Sequence, residues 1–247
     1  YAKAPENMGA YFRLMLGHTD KAFAVYRDER STFAEAYAEA AALARALVDD
    51  YGVRKGDRVA IVSRNNPQWM TAFIGVLSIG GVAVPMNAWW TTEELDYGLR
   101  DSGAKMVIAD RQRIERLQGL QEPLDLAIIA IDDCSGLDVP LARFADVTAK
   151  RAGADMPEVA VAADDHATIM YTSGSTGHPK GALSSHRGII SALYSWLLLG
   201  LAGKMAAGTR EESRFAPAGL LTIPLFHCTG SHSAFLLSLI IGRKLVI

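Results

Sequence analysis

An α/β fold with mostly parallel sheets flanked by helices is predicted by three observations. Short apolar strands alternate with capped, periodic helices from residue 33 onward, which is the order that right-handed crossovers produce. Gly52 and Gly80-Gly81 close the first two helices and set them off from the strands that follow. The chain has 247 residues, half of them hydrophobic, enough to bury a sizeable core. There are no internal repeats and no low-complexity runs.

The elements follow in order. Thr32 and Glu35 form a capping box. Behind them Phe33, Ala36, Tyr37, Ala40, Leu43, Ala44 and Leu47 recur at helical spacing, predicting an amphipathic helix that ends before Gly52. Asp57–Ser63 (DRVAIVS) reads as a buried strand. Asn66–Ile79 reads as a helix with Pro67 in its first turn, where its missing N–H does no harm. Gly80-Gly81 ends it, and Val82–Pro85 is a short strand. Thr91 and Glu94 form a second capping box opening a helix to about Asp101. Lys105–Ala109 is a strand, Arg111–Leu117 a helix, and Leu126–Ile131 a strand. The small, polar stretch 149–165 connects an N-terminal α/β subdomain, 1–148, to a segment 166–247. In that segment Ser184 or Ser185 caps a helix through about Leu199, and Gly203–Gly219 reads as irregular or mobile. Leu220–Pro224 returns to strand, Gly230–Ile241 to helix, and Lys244–Ile247 begins another strand.

Composition excludes several classes. Twenty-five basic and 27 acidic residues leave a net charge of -2, which favours neither nucleic acid nor an anionic membrane surface. Cys134 and Cys228 lie far apart and form no metal-spaced pair, so they read as ordinary reduced thiols in a cytoplasmic protein. The N-terminus has no signal-peptide pattern. The longest apolar runs, Leu197–Ala202 and Phe235–Ile241, are shorter than the roughly 20 residues a bilayer requires, so no transmembrane segment is expected. Tyr1 at the start and RKLVI at the end give the expectation of the front piece of a longer protein.

Ile169–Lys180, IMYTSGSTGHPK, carries the chemistry. An apolar strand (Ile169, Met170, Tyr171) runs into six small or hydroxyl residues, Thr172, Ser173, Gly174, Ser175, Thr176 and Gly177, followed by Pro179, Lys180 and Gly181. Such a loop has little side-chain bulk and lets the backbone approach a ligand closely. Its N–H groups can converge on an anion, the hydroxyls of Thr172, Ser175 and Thr176 can donate, and Lys180 adds positive charge. A polyphosphate suits that set. A Walker A loop needs Lys directly after the second glycine; five positions after Gly174 stands Pro179, and five after Gly177 stands Ala182, so this is a phosphate loop of another type. A Ser/Gly surface linker lacks the apolar lead-in and the Pro-Lys-Gly exit.

YTSGSTGHPKG resembles the AMP-binding signature of the adenylate-forming superfamily at every defined position, with His178 where that pattern is free. STFAEAYAEAAALARAL, VLSIGGVAVPMN and TTEELDYGLRDSGAKMVIAD resemble its front half. Ile223–Gly230, IPLFHCTG, resembles the PLFH-x-x-G segment of acyl-CoA synthetases rather than the FD-x-S of peptide-synthetase domains. The resemblance implies the front part of that superfamily's large N-terminal domain, without its C-terminal domain, in which 166–247 carries the phosphate loop and part of an acyl-site wall. It departs at Asn87-Ala88-Trp89-Trp90, where relatives have Asn-Pro; the tryptophans read as packing residues, with a contact between subunits or an acyl-site role open.

The activity implied is ATP-dependent activation of a carboxylic acid, most like a fatty acid, to acyl-AMP, then thioester formation with CoA. The task is to hold phosphates in line and offset developing charge. Thr172, Ser173, Gly174, Ser175, Thr176, Gly177 and Lys180 would bind the nucleotide, with Lys180 and Thr176 catalytic, and Phe226, His227 and Gly230 would shape the acid site. His227 is weighed against a buried core histidine. A His227–His232 metal site is rejected because an i, i+5 pair shares no helix face. His186 with Arg187 is expected to give structural support, and Asp164, Asp165 and His166 a solvated turn. The superfamily's adenine segment, ribose aspartate, hinge, late lysine and Mg²⁺-positioning glutamate do not occur before Ile247. No metal site is therefore assigned, and the chain alone is expected to be inactive. A homodimer is left open. Alternatives are loading of a carrier-protein thiol, a non-catalytic nucleotide-binding module, and a phosphotransferase releasing ADP.

Overall fold

The computed structural model describes residues 3–120, 124–172, 177–208 and 215–247. It opens with a short helix α1 (Met8–Phe12) capped by the Asn7 side chain, then a hairpin of β1 (Ala22–Tyr26) and β2 (Glu29–Thr32). The capping box of Thr32 and Glu35 is formed in full at the start of α2 (Phe33–Asp49). β3 (Arg58–Val62), α3 (Pro67–Ser78), β4 (Val82–Pro85), α4 (Thr92–Ser102), β5 (Met106–Ala109), α5 (Arg111–Gln118) and β6 (Ala127–Ala130) follow the expected alternation. Asn66 caps α3, and the Thr91–Glu94 capping box opens α4. β7 (Ala142–Arg143) leads into α6 (Phe144–Lys150).

The main sheet has seven strands in the order β7-β6-β5-β3-β4-β8-β9, where β8 is His166–Thr172 and β9 is Lys180–Ser185. All neighbours are parallel except β8 and β9, which pair antiparallel from His166↔Ser185 to Thr172↔Lys180. Side chains alternate across a strand, and here that alternation divides the core in two. Val59 and Ile61 of β3, with Met106 and Ile108 of β5, face α2 and α3. Ala60, Val62, Val107 and Ala109 face the other way, toward Leu95 and Leu99 of α4 and Ile114 of α5. Burial on both faces is why these strands read as continuous apolar runs.

After β9 come α7 (His186–Ala206), β10 (Ala218–Leu220), a π-helix at Thr229–Leu236, α8 (Leu237–Ile241) and β11 (Lys244–Val246). β10 and β11 form a second sheet with the N-terminal hairpin, in the order β10-β11-β1-β2. Several expectations need correction here. The helix capped by Ser185 runs past Leu199 to Ala206, because glycines at 200 and 203 fall within a long apolar helix instead of ending it. The strand expected at Leu220–Pro224 lies earlier, at Ala218–Leu220, since residues 221–225 are tied to Asn65 rather than to a neighbouring strand. Gly230–Ile241 is helical, but its first part is π, not α. The β1–β2 hairpin, α1, α6 and β9 were not foreseen.

α7 also passes, by length and composition alone, as long and apolar enough to cross a membrane. Reading the apolar run as 197–202 alone missed this, because Ser and Gly residues punctuate the helix on either side of it. Its first turns are packed: Ile189, Ile190 and Leu193 join the core, and His186 accepts a hydrogen bond at Nδ1 from the Met8 N–H at 3.1 Å.

Candidate active site

A cleft of about 490 Å³ opens at the carboxyl ends of β4 and β8. In open α/β sheets ligands bind in this position, where strands stop and loops begin. One wall is built by the two limbs of the small-residue loop, Tyr171 and Thr172 going out and Gly177 and Pro179 returning. The facing wall is Phe226, His227 and Cys228, and Pro85, Asn87 and Trp90 lie between. The fold thus brings Tyr171, Thr172, Gly177 and Pro179 together with residues 226–228, far along the chain, as two walls of one cleft.

On the loop side, strand pairing sets the geometry. Thr172 and Lys180 are register partners at the open end of the β8–β9 ladder, and Thr172 Oγ1 donates to the Lys180 carbonyl at 3.5 Å. Gly177 has φ 99°, a left-handed conformation that favours glycine. His178 stacks on Tyr97 of α4, with centroids 4.8 Å apart. Lys180 is exposed and makes no ion pair among the described residues, so its charge is available at the mouth of the loop. Ser173, Gly174, Ser175 and Thr176 lie outside the described residues. Behind the loop, Tyr171 Oη donates to Asp101 at 2.6 Å. Burial, reinforced by that carboxylate, holds the phenol well above its usual range, so it stays a neutral donor.

The facing wall is held by residues that the sequence alone did not single out. Asn65, just after β3, uses its whole amide. Nδ2 donates to the carbonyls of Leu221 (3.1 Å) and Ile223 (2.9 Å), and Oδ1 accepts from the Leu225 N–H (2.8 Å). An Asn beside a helix-capping Asn was the available signal, but two adjacent asparagines read as a single start.

His227 is exposed, not the core histidine weighed against it. Its Nδ1 accepts from the Thr229 N–H at 3.2 Å, which leaves the ring proton of the neutral form on Nε2. His232 is the buried one, beside Ser231 at 2.9 Å, and burial holds its imidazole down at about 4. Gly230 was expected to shape the acid site. It is buried and packs against the backbone: a Cβ there would lie 2.1 Å from the Pro224 carbonyl oxygen. Its role is to let the π-helix start close against the Pro224 turn. π-helical geometry is rare and is found frequently at functional sites.

The tryptophan pair divides. Trp90 is a packing residue, buried against Tyr171 at 5.3 Å, whereas Trp89 is 58% exposed and meets Phe226 edge-on at 5.2 Å. His186 gives the structural support expected of it, and Asp164 and Asp165 pair with Arg187 and Lys55. Glu94 is the carboxylate on the cleft lining, but its Oε2 accepts from the Thr91 N–H at 2.8 Å. Among the described residues no group of three His, Cys, Asp or Glu side chains could hold a metal.

A mostly parallel α/β sheet with an aromatic-walled cleft at the carboxyl ends of its strands defines an α/β protein with a ligand-sized site. Comparison narrows this: residues 13–247 match the AMP-binding enzyme family, and the chain belongs to it. It is 34% identical over 200 residues to the long-chain-fatty-acid–CoA ligase FadD13 of Mycobacterium tuberculosis, covering 81% of this chain and 36% of that protein. It is 33% identical over 157 residues to a plipastatin synthase component of Bacillus subtilis, covering 63% of this chain and 5% of that protein. Among solved structures, an inhibitor-bound N-terminal domain of FACL13 from Mycobacterium tuberculosis superposes with a TM-score of 0.79 at 30% identity, over 98% of this chain and 57% of that one. The chain spans about a third of the length of the curated ligase it matches.

Proposed function

We propose that the protein activates a carboxylic acid with ATP to an acyl-AMP and passes the acyl group to CoA, acting as an AMP-forming acid–thiol ligase. The observation that carries this reading is the two-walled cleft: a phosphate-suited loop faces Phe226 and His227 across a space large enough for an activated acid. An acid's carboxylate attacks the α-phosphorus of ATP and pyrophosphate leaves; the thiol then displaces AMP. Thr172, Ser173, Gly174, Ser175, Thr176 and Gly177 would hold the β- and γ-phosphates, and Lys180 would offset charge as pyrophosphate departs. Thr176 would donate its hydroxyl there. Phe226 and His227 would shape the acid side, with Gly230 supporting them from behind. The apolar character of that wall and the similarity to a fatty-acid ligase support a fatty acid as substrate. Mg²⁺ would accompany the nucleotide. The described part of this chain supplies no ligand set for it, since Glu94 caps α4. We further propose a cytoplasmic location, with α7 held to the core through its first turns.

The test uses the full-length protein: acid-dependent exchange of labelled pyrophosphate into ATP across a panel of short to long acids, then CoA-dependent release of AMP. Exchange with at least one acid, and AMP rather than ADP as product, is the expected result. No exchange with any acid would falsify the activity, and ADP release would indicate a phosphotransferase. The 247-residue chain by itself is expected to form no AMP. The similarity to a plipastatin synthase favours a second reading, transfer to a carrier-protein thiol; comparing CoA with a carrier protein as acceptor separates the two.

A further inference from the structure

We propose that Arg113 and Arg116 are positioning residues that lock the Asn87–Trp90 turn and, through its two tryptophans, set both aromatic walls of the cleft. What the cleft binds rests on the acid-activating reading above; the brace itself stands on geometry alone.

The geometry is specific. Arg113 is 1% exposed, a placement an arginine tolerates only when its charge and donors are matched. Asp110 matches the charge, with Oδ1 and Oδ2 3.1 and 3.0 Å from Nη1. The rest of the fork is aimed at one backbone atom: Nε donates to the Ala88 carbonyl at 2.7 Å, and Nη2 donates to the same oxygen. One helical turn on, Arg116 Nη1 donates to that oxygen at 3.1 Å and to the Trp90 carbonyl at 2.6 Å. A planar guanidinium fixes direction as well as distance. From inside the turn, Asn87 Oδ1 accepts from the Trp89 N–H at 2.9 Å, and its carbonyl accepts from the Trp90 N–H at 3.1 Å.

What is held explains the effort. The two tryptophans reach in opposite directions, Trp90 to Tyr171 on the loop wall and Trp89 to Phe226 on the facing wall. Trp89 remains 58% exposed, so core packing does not account for holding it. Two cations clamped on a four-residue turn keep a large ring at a cleft edge, where it backs Phe226. Loosening the turn would let Phe226 swing, and the acid side would lose its wall while the phosphate loop kept its own.

Arg113 is deeply buried and its replacement risks unfolding, so Arg116, half-buried, is the better probe. In the full-length protein with ATP, Mg²⁺ and dodecanoate, Arg116→Gln is expected to raise the KM for dodecanoate about tenfold in pyrophosphate exchange, while kcat and the KM for ATP stay within about twofold. Arg116→Lys should recover part of the loss. Trp89→Ala should produce a similar rise, and the double variant should be no worse than Trp89→Ala alone, as expected of residues acting through one another. Hydrogen exchange at the Trp89 and Trp90 amides should quicken about tenfold in Arg116→Gln. An unchanged KM for dodecanoate, an equal rise for ATP, additive losses, or unchanged amide exchange would each overturn the proposal. If the wild type activates no acid of the panel, the acid-activating reading falls on its own, and the amide exchange alone decides the brace.

Discussion

Among the described residues on the loop side of the cleft, Thr172 and Lys180 meet through strand pairing and a 3.5 Å hydrogen bond, with His178 stacked on Tyr97 as the returning limb's ring contact. On the facing side, residues 221–231 are fastened by three Asn65 hydrogen bonds, by Gly230 against Pro224, and by the Ser231 N–H and hydroxyl on the His227 carbonyl. The difference follows from what each wall offers a ligand. On the proposed reading, the loop would present its backbone N–H groups and hydroxyls to a phosphate, and groups spent on the fold could not do so. An apolar wall has few polar groups of its own to offer and depends on being held in shape.

That contrast is open to attack at four points. Gly230→Ala should have the largest effect. The new methyl would meet the Pro224 carbonyl at 2.1 Å, so the variant should lose about 3 kcal/mol of stability in urea unfolding; a loss under about 1 kcal/mol would show that the facing wall is not tightly built. Lys180→Ala attacks the other wall and should do the reverse. Adenylation should slow about a hundredfold, roughly 2.7 kcal/mol of barrier, with the melting temperature nearly unchanged. Equal slowing of adenylation and thioester formation would mean that Lys180 supports the fold instead.

Asn65→Ala comes next. It leaves the buried end of the 221–225 segment short of an acceptor and two donors, and should lower stability by about 2 kcal/mol while raising the KM for the acid more than that for ATP. A rise for ATP alone would break the assignment of walls. The smallest effect lies behind the loop wall, at His186. Burial holds this imidazole down at about 4, and its Nδ1 accepts from Met8. The unfolded chain binds the proton first, so stability is fully present above about pH 6.5 and declines as pH falls toward 4. His186→Asn, which keeps an acceptor for Met8, should remove about 1–2 kcal/mol of the loss between pH 7 and pH 5. His232 shifts in the same direction, so some slope should persist. Identical slopes in variant and wild type would refute the role.

Much of this arrangement was legible in the residues. Both capping boxes and the buried strands β3 to β5 announce themselves through local rules, because capping and burial on two faces leave marks within a few positions. What was hidden depends on distant partners. β9 carries glycine, alanine and serine, a composition without strand character, and is a strand because β8 lies beside it. The 229–236 segment has helical composition, and nothing local distinguishes π from α. Arg113 sits in a helix full of charged residues; its burial comes from the Ala88 carbonyl, 25 positions upstream. His227 follows three apolar residues and yet is exposed, because the segment is tied down by Asn65 rather than sunk in the core.

One pairing also bears on how the chain comes together during synthesis. β1 lies next to β11 in the second sheet, with Ala24 opposite Leu245, and Phe23 touches Phe235. At ribosomal rates of roughly 5–20 residues per second, the first strand waits some tens of seconds for its neighbour to be made. Until then the N-terminal hairpin has an open edge and a bare aromatic face, and a nascent chain stalled in that interval would offer both to whatever chaperone stands at the tunnel exit.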